Sequence, residues 1–360
     1  MKPKPIQFSH PLRPFSHHLG TTLLLPRSPL VVRCFPTRLE FLSVDHLDKD
    51  TPLGSLEWRN SGPIEGFTVR FDMDRERVEL WGHSEKGLFH YIFWWSGDHL
   101  QLKTRRLPSE IEGPFIEGSI ACKVISGGEE RAVHSSNNLY LGVSKKQEWE
   151  SIARRNSLRE FLPFLYRQGE WYPEIPPPTG GVGEIFSQWK QKIDESDAST
   201  CEKLIGSLFS TGYRDFCTPT LVDSFHRGYG LSQPTEDDRA LAICSTFSEL
   251  LRRHFVRCDD RKIHLLPLLL PSLRCGRLIG IELGEGNRLD LEWSKKEVRR
   301  CVLRIATPRP FQFVEAKGMQ SFRLRRESEQ MGKRFLVGDV LPIDTSGNYL
   351  LDQFTKKSSS

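Results

Sequence analysis

The sequence lacks the short motifs that most often mark catalysis or nucleotide binding. No GK(S/T) phosphate loop and no GxSxG nucleophile elbow occurs among its 360 residues. The eight cysteines contain no CxxC pair, and neighbouring cysteines are 14 or more positions apart, which excludes zinc-ligand spacing. We therefore expect no metal and no cofactor. Most of the cysteines lie beside apolar residues, which indicates reduced thiols in a cytoplasmic protein; a disulfide framework is expected only if the protein is exported.

Long apolar runs and N-terminal acidic residues are also missing. No run approaches the roughly 18 apolar residues that span a bilayer, so we expect no membrane partner. The first 39 positions carry six basic residues and no acidic one. A signal peptide needs about 7–15 uninterrupted apolar residues, and Thr21 to Leu25 is too short for one. We expect a disordered basic leader over residues 1–19; an organellar transit peptide is the alternative.

The basic residues are not clustered. The net charge is +5 at pH 7, and the Arg and Lys pairs are spread along the whole chain. A nucleic-acid-binding domain concentrates its positive charge on one face or stripe. We therefore expect no nucleic-acid partner.

The pattern of apolar residues divides the chain into three regions and predicts an α+β fold that is mainly β. Residues 20–146 contain short alternating segments between turn signals, which predict an N-terminal β-sandwich, with a hairpin formed by Phe67 to Met73 and Val78 to Trp81. Residues 147–258 change to helical spacing, with helices over Glu148 to Tyr166, Glu184 to Ile193 and Arg239 to Phe255 and a further one capped near Ser199.

The third region, residues 259–355, alternates again and predicts a C-terminal antiparallel β-sandwich, before a disordered tail over residues 356–360. Its strands are expected at Arg277 to Leu283, Arg288 to Trp293 and Val298 to Leu303, with glycine turns between the first two. This region opens with the segment KIHLLPLLLP, in which Pro267 and Pro271 exclude a helix.

Short pieces of this third region carry a family resemblance. Ile263 to Pro267, Gly276 to Ile281, and Asp290 to Trp293 follow the helix at Arg239 to Phe255 in an order that resembles bacterial six-hairpin, (α/α)-barrel glycosidases, especially the alpha-L-fucosidase-like group. The resemblance covers about 90 residues and extends weakly to the N-terminal sandwich. It implies a carbohydrate-related function for a chain with two β-sandwiches around a helical barrel.

Most of that barrel is missing from this sequence. Residues 147–258 have room for roughly four helices, since a helix and its loop take about 15–25 residues, whereas the family has six helical hairpins. Glycosidases need two carboxyl groups about 5–10 Å apart. The catalytic candidate is Asp238, with Glu236 and Asp237 beside it, because the family has an acidic residue near this helix start. A helix-capping role is the alternative interpretation.

Aromatic and polar side chains supply candidates for sugar binding. Trp94, Trp95, Trp171 and Tyr172 offer flat rings on which a sugar can stack, and core packing is the alternative role. Trp94 and Trp95 are adjacent on a strand, so one of them is expected to point away from the core. Asp223, His226 and Arg227 form a polar loop that is either part of a cleft or an ordinary solvated loop.

The leading interpretation is a degenerate, non-hydrolytic relative of these glycosidases that binds a glycan. The first alternative is a structural or protein-interaction module with a protein partner. The second alternative is an active glycoside hydrolase with a rebuilt site.

Overall fold

The computed structural model describes residues 6–7, 10–125, 138–172, 175–223, 230–315, 319–327, 329 and 331–356. The fold is α+β and mainly β, as the sequence predicts: the described residues form 24 strands, five α-helices and one 3-10 helix, Val44–Lys49. Their buried apolar side chains form one continuous core that reaches from the first sheets through the helices to the last sheets.

The first eleven strands form two antiparallel-dominated sheets in the N-terminal part of the chain. These strands are β1 (Phe15–Ser16), β2 (Thr21–Leu24), β3 (Leu30–Cys34), β4 (Arg38–Ser43), β5 (Gly54–Arg59), β6 (Glu65–Asp72), β7 (Arg77–Ser84), β8 (Gly87–Ser96), β9 (His99–Arg106), β10 (Glu112–Gly118) and β11 (Cys122–Ile125). One sheet has the order β1-β6-β7-β8-β9-β11 and the other has the order β10-β5-β4-β3-β2.

The inner faces of these two sheets pack against each other. Trp58 of β5 stacks on Tyr91 of β8, with ring centroids 4.3 Å apart. The predicted β6–β7 hairpin is confirmed, since Asp72 pairs with Arg77 at its turn. Alternation of apolar and polar residues predicts such local pairings because successive side chains of a strand point to opposite faces.

The predicted leader is wrong for the residues next to these sheets. Leu12 is buried, and β1 pairs with β6 through Phe15 opposite Arg70 and Ser16 opposite Val69. Burial of Leu12 and backbone pairing supply the order that basic composition alone does not predict. Residues 1–5 and 8–9 of the leader, and residues 357–360 of the predicted tail, lie outside the described residues.

Five α-helices follow the first sheets. They are α1 (Trp149–Arg155), α2 (Leu158–Gly169), α3 (Gly183–Asp194), α4 (Ala198–Thr211) and α5 (Leu241–Phe255), and the short strands β13 (Tyr213–Arg214) and β14 (Thr218–Pro219) lie between α4 and α5. The sequence predicted one helix over Glu148 to Tyr166, but Asn156 adopts a left-handed conformation that ends α1 before α2 begins. Pro163 lies inside α2.

Helices α2 and α5 approach closely at a glycine. A Cβ atom at Gly169 would lie 2.3 Å from the carbonyl oxygen of Cys244 and 2.4 Å from Ser248, so a larger residue requires the helices to move apart. At the other end of this region, the side chain of Asp197 caps α4 by accepting a hydrogen bond from the backbone N–H of Thr200 at 3.0 Å. The first contact packs α2 against α5, and the second fixes the start of α4.

The last strands form a second pair of sheets. They are β12 (Asn138–Tyr140), β15 (Val256–Asp259), β16 (Lys262–Leu265), β17 (Cys275–Glu282), β18 (Arg288–Ser294), β19 (Glu297–Ile305), β20 (Phe311–Glu315), β21 (Met319–Arg326), β22 (Lys333–Leu336), β23 (Val340–Leu341) and β24 (Gly347–Lys356). One sheet has the order β12-β17-β18-β19-β24-β21-β22 and the other β15-β16-β20-β23. Phe313 and Phe322 make an edge-to-face contact between them, with ring centroids 5.6 Å apart.

The predicted boundaries of this region need correction. β12 belongs to the last sheets, since Leu139 pairs with Leu278, although the sequence assigned it to the N-terminal sandwich. β15 begins at Val256, inside the stretch predicted to be helical. Local alternation identifies a strand but does not show which distant strand will pair with it.

Candidate functional site

The described residues form a pocket of about 540 Å³ beside the start of the first sheets. Its lining comes from three segments that are far apart in the sequence: residues 18–21 before and in β2, residues 149–156 in and just after α1, and residues 209–216 at the end of α4 and after it. We call it the β2–α1 pocket. Its volume lies within the range of about 300–1,000 Å³ that is usual for small-molecule sites.

Aromatic side chains form the apolar wall of the β2–α1 pocket. The ring of Trp149 stacks on Phe216 with centroids 5.1 Å apart and meets Phe209 edge to face at 6.0 Å. The indole Nε1 of Trp149 donates a hydrogen bond to the backbone carbonyl of Asp215. This bond holds the chain at Asp215 against the start of α1.

Two carboxylates in the β2–α1 pocket are held by hydroxyl groups. Ser16 donates to Glu150 Oε1, and the Ser16 hydroxyl is itself 2.9 Å from the hydroxyl of Thr21. Thr22 donates to Asp215 Oδ2. Because each carboxylate has a defined hydrogen-bond partner, both present their remaining lone pairs in fixed directions.

Asp238 was the catalytic candidate with helix capping as the alternative, but α5 has no side-chain cap and the carboxylate of Asp238 binds loop residues instead. Its Oδ1 accepts hydrogen bonds from the backbone N–H of Thr179 at 2.7 Å and from the Thr179 hydroxyl at 3.2 Å. Its Oδ2 accepts from the backbone N–H groups of Gly180 at 3.0 Å and Thr235 at 2.8 Å. These bonds outweigh the effect of burial and lower the pKa of Asp238 to about 2. The carboxylate joins two loops and does not line the β2–α1 pocket.

The rings proposed for sugar stacking are mostly inaccessible. Trp94, Trp171 and Tyr172 are 6%, 3% and 6% exposed, so none of them offers an open ring face to a sugar. Trp171 packs against Phe71 with centroids 5.5 Å apart. Their apolar area stabilises the interior, where large aromatic residues contribute most.

Trp94 and Trp95 do point to opposite faces of β8. Trp95 is half-buried against the common core, whereas Trp94 is not part of that core. The two rings alternate between the faces of the strand, but neither of them is exposed. The ring of Trp94 is nevertheless covered, which alternation along a strand does not reveal.

The other polar candidates are not gathered into a site. Glu236 and Asp237 are exposed next to Asp238, and Asp223 is half-buried. His226 and Arg227 lie outside the described residues. Among the residues that the structure describes, no group of three or more His, Cys, Asp or Glu side chains is arranged to hold a metal ion. All eight cysteines are free thiols.

One buried histidine lies outside the β2–α1 pocket. His254 of α5 has no exposed surface, and its Nε2 accepts a hydrogen bond from Trp189 Nε1 at 2.9 Å. Its Nδ1 lies 2.8 Å from the carbonyl oxygen of Leu268, so Nδ1 carries the hydrogen of a neutral ring. Burial lowers the pKa of His254 from 6.5 to about 4.

This shift predicts an acid-sensitive stability. Because the pKa of His254 is higher in the unfolded chain than in the folded protein, protonation of this ring favours unfolding. The free energy of unfolding is therefore unaffected by this group above pH 6.5 and decreases as the pH falls from 6.5 towards 4. We expect a loss of about 3 kcal/mol in the free energy of unfolding over this range. Urea unfolding at several pH values measures it. His254→Leu should be less stable at pH 7 but should lack this part of the slope; an equal slope in both proteins would contradict the assignment.

No protein-family model and no curated protein matches the sequence. Within the described part of the chain, none of the helices combines the length and the apolar composition that crossing a membrane requires. The β2–α1 pocket was not predicted from the sequence. The nearest signals in the sequence were Trp149 and Glu150 at the start of α1 and the segment Tyr213 to Phe216 between two of the predicted helices.

Proposed function

We propose that this protein binds a small carbohydrate in the β2–α1 pocket and does not hydrolyse it. The observation that carries the proposal is a pocket of about 540 Å³ in which the carboxylates of Glu150 and Asp215 are each held by a hydroxyl group. Carboxylates with fixed directions suit a sugar because it offers many hydroxyl donors, whereas Trp149 and Phe216 are 5% and 0% exposed and offer no open ring face. The resemblance of residues 263–293 to a glycosidase family supports the same ligand class.

Two further observations favour binding without hydrolysis. The described residues contain five α-helices, too few for six helical hairpins around a catalytic centre. Asp238, the carboxylate nearest in position to the family's acidic residue, already accepts four hydrogen bonds from two loops. A general acid or base must instead be free to exchange a proton with the substrate.

Isothermal titration calorimetry with a panel of monosaccharides and disaccharides tests the proposal. Glu150→Gln and Asp215→Asn should each weaken binding about tenfold or more, because a hydrogen bond to a charged group contributes about 1.5–3 kcal/mol. Both variants keep the shape of the side chain, and Asn tolerates the left-handed backbone at Asp215, where φ is 45°.

The matched controls are Glu236→Gln and Asp237→Asn. They remove the same charges at exposed positions outside the pocket and should leave the affinity unchanged. Absence of binding to every sugar in the panel would refute the proposal. Turnover of aryl glycosides that is lost in Glu150→Gln or Asp215→Asn would show instead that the pocket is catalytic.

A protein-interaction module is the second candidate, and exposed apolar side chains favour it. Leu336 and Val340 are 55% and 60% exposed around the turn between β22 and β23, and Met331 is 85% exposed. Monomeric proteins seldom expose apolar side chains in groups. Co-purification of a protein partner together with no sugar binding would favour this candidate.

A further inference from the structure

The charged side chains of the β2–α1 pocket differ in whether they already have a partner. Glu150 and Asp215 each accept a hydrogen bond from a hydroxyl group. Arg154, which also lines the pocket, is exposed and forms no hydrogen bond or ion pair with any described residue. The pKa of Glu148 is lowered mainly by a hydrogen bond from Ser151 and further by nearby cations, of which Arg154 is one. The guanidinium therefore lines the pocket without an acceptor among the described residues.

Asn156 and His18 line the pocket with Arg154, as does Arg214, which has an interaction of its own. Asn156 is exposed and has the left-handed backbone that ends α1, with φ of 45°. His18 is exposed, and its backbone N–H is bound to Ser16 while its ring makes no hydrogen bond with a described residue. An uncommitted guanidinium with an amide and an imidazole in the same pocket is a set of donors for a group that accepts hydrogen bonds.

We infer that the β2–α1 pocket prefers a sugar that carries a carboxylate over the matching neutral sugar, with Arg154 as the residue that binds the carboxylate. This inference rests on the proposed function and adds the ligand class. A guanidinium binds a carboxylate through two parallel hydrogen bonds, which a neutral hydroxymethyl group cannot accept. Glu150 and Asp215 accept hydrogen bonds from the hydroxyl groups of the same sugar.

The charge of the pocket favours a carboxylate over a phosphate. The pocket holds two carboxylates, Glu150 and Asp215, which repel any anion that enters, and two arginines, of which Arg214 already has an interaction of its own. A singly charged carboxylate needs one guanidinium to offset this repulsion. A phosphate monoester carries nearly two negative charges at neutral pH, so the two carboxylates repel it about twice as strongly.

The experiment compares matched pairs of sugars by isothermal titration calorimetry at low ionic strength. The probes are methyl glucuronide against methyl glucoside and methyl galacturonide against methyl galactoside, with glucose 6-phosphate as the phosphate probe. The wild-type protein should bind one of the acidic sugars about tenfold more tightly than its neutral partner, and added salt should reduce the ratio.

Variants at Arg154 assign the preference to that residue. Arg154→Gln should bring the ratio of acidic to neutral affinity close to one with little change in affinity for the neutral sugar. Arg154→Lys keeps the charge but not the two parallel N–H donors of the guanidinium, and it should give an intermediate ratio. Arg288→Gln, at an arginine of β18 that is half-buried and lies outside the pocket, is the control and should keep the wild-type ratio.

The outcomes separate this inference from the proposed function. Equal binding of acidic and neutral sugars, or tighter binding of the phosphate, overturns the inference and leaves sugar binding in place. An acidic preference that persists in Arg154→Gln overturns the role of Arg154. No binding of any of these sugars or of the wider panel overturns the proposed function and the inference together.

Discussion

Glu76→Gln is expected to lower the free energy of unfolding by about 3–5 kcal/mol, because it removes the carboxylate that accepts a hydrogen bond from the buried Arg167. The side chain of Glu76 is 1% exposed and accepts hydrogen bonds from Arg27 at 2.6 and 2.9 Å and from Arg167 at 3.2 Å. The side chain of Arg27 is 44% exposed and can turn to solvent, whereas that of Arg167 is 4% exposed. Burial is the main cause that lowers the pKa of Arg167.

Urea unfolding of Glu76→Gln measures this loss, and two further variants show its origin. Arg27→Gln removes the exposed partner and should cost about 1 kcal/mol or less. The double variant Glu76→Gln with Arg167→Met should recover much of the stability, since an apolar side chain of similar length replaces the unpaired charge. A small effect of Glu76→Gln, or a double variant less stable than the single one, would contradict the explanation. The pair links β6–β7 to α2, so the experiment also measures how tightly the first sheets hold the helices.

Asp238→Asn is expected to lower the free energy of unfolding by about 4 kcal/mol, which is the second large effect. Both carboxylate oxygens face backbone N–H groups: Oδ1 faces that of Thr179, and Oδ2 faces those of Gly180 and Thr235. The asparagine NH₂ group must replace one of these oxygens, so either orientation of the amide places donors against donors. Hydrogen bonds to a charged group contribute about 1.5–3 kcal/mol each, and the buried donors left without acceptors add a penalty.

The pH dependence of Asp238→Asn provides a second measurement. The pKa of Asp238 is lowered from 3.8 to about 2 by its hydrogen bonds, against the effect of burial. The stabilisation is therefore present above pH 4 and is lost as the pH falls towards 2, which amounts to about 2 kcal/mol that the variant should lack. Asp237→Asn, at the exposed neighbouring position, should change the stability by less than about 0.5 kcal/mol. Unchanged stability of Asp238→Asn together with lost glycosidase turnover would restore the catalytic interpretation.

The residues that carry the family resemblance have structural roles in this chain. Asp290 is fully buried and accepts a hydrogen bond from the backbone N–H of Gly280 at 2.9 Å, at an irregular point in the β17–β18 pairing, and one from Arg304 Nε at 2.9 Å. Trp293 covers Gly276, where a Cβ atom would lie 2.3 Å from the indole ring. A motif of this kind specifies how the sheet packs. It therefore predicts the fold of the third region better than it predicts an activity, and the relationship to glycosidases stays a prediction.

Much of the fold follows from local sequence. The predicted strands Phe67 to Met73 and Val78 to Trp81 correspond to β6 and β7, and the predicted helix Arg239 to Phe255 corresponds to α5. These elements depend on residues that are two to four positions apart, so the apolar period shows their type. The division of α1 from α2 was missed because it depends on the left-handed backbone of one residue, Asn156.

The sequence by itself determined the order of sheets and helices, because alternation and helical spacing are properties of neighbouring residues. Only the tertiary structure decided which distant residues meet. It brings Glu76 to Arg167 across 91 positions, pairs β12 with β17, and forms the β2–α1 pocket from three separate segments. The physical reason is that such contacts arise when the whole core packs and buried charges find partners, and no local pattern records which partner that will be.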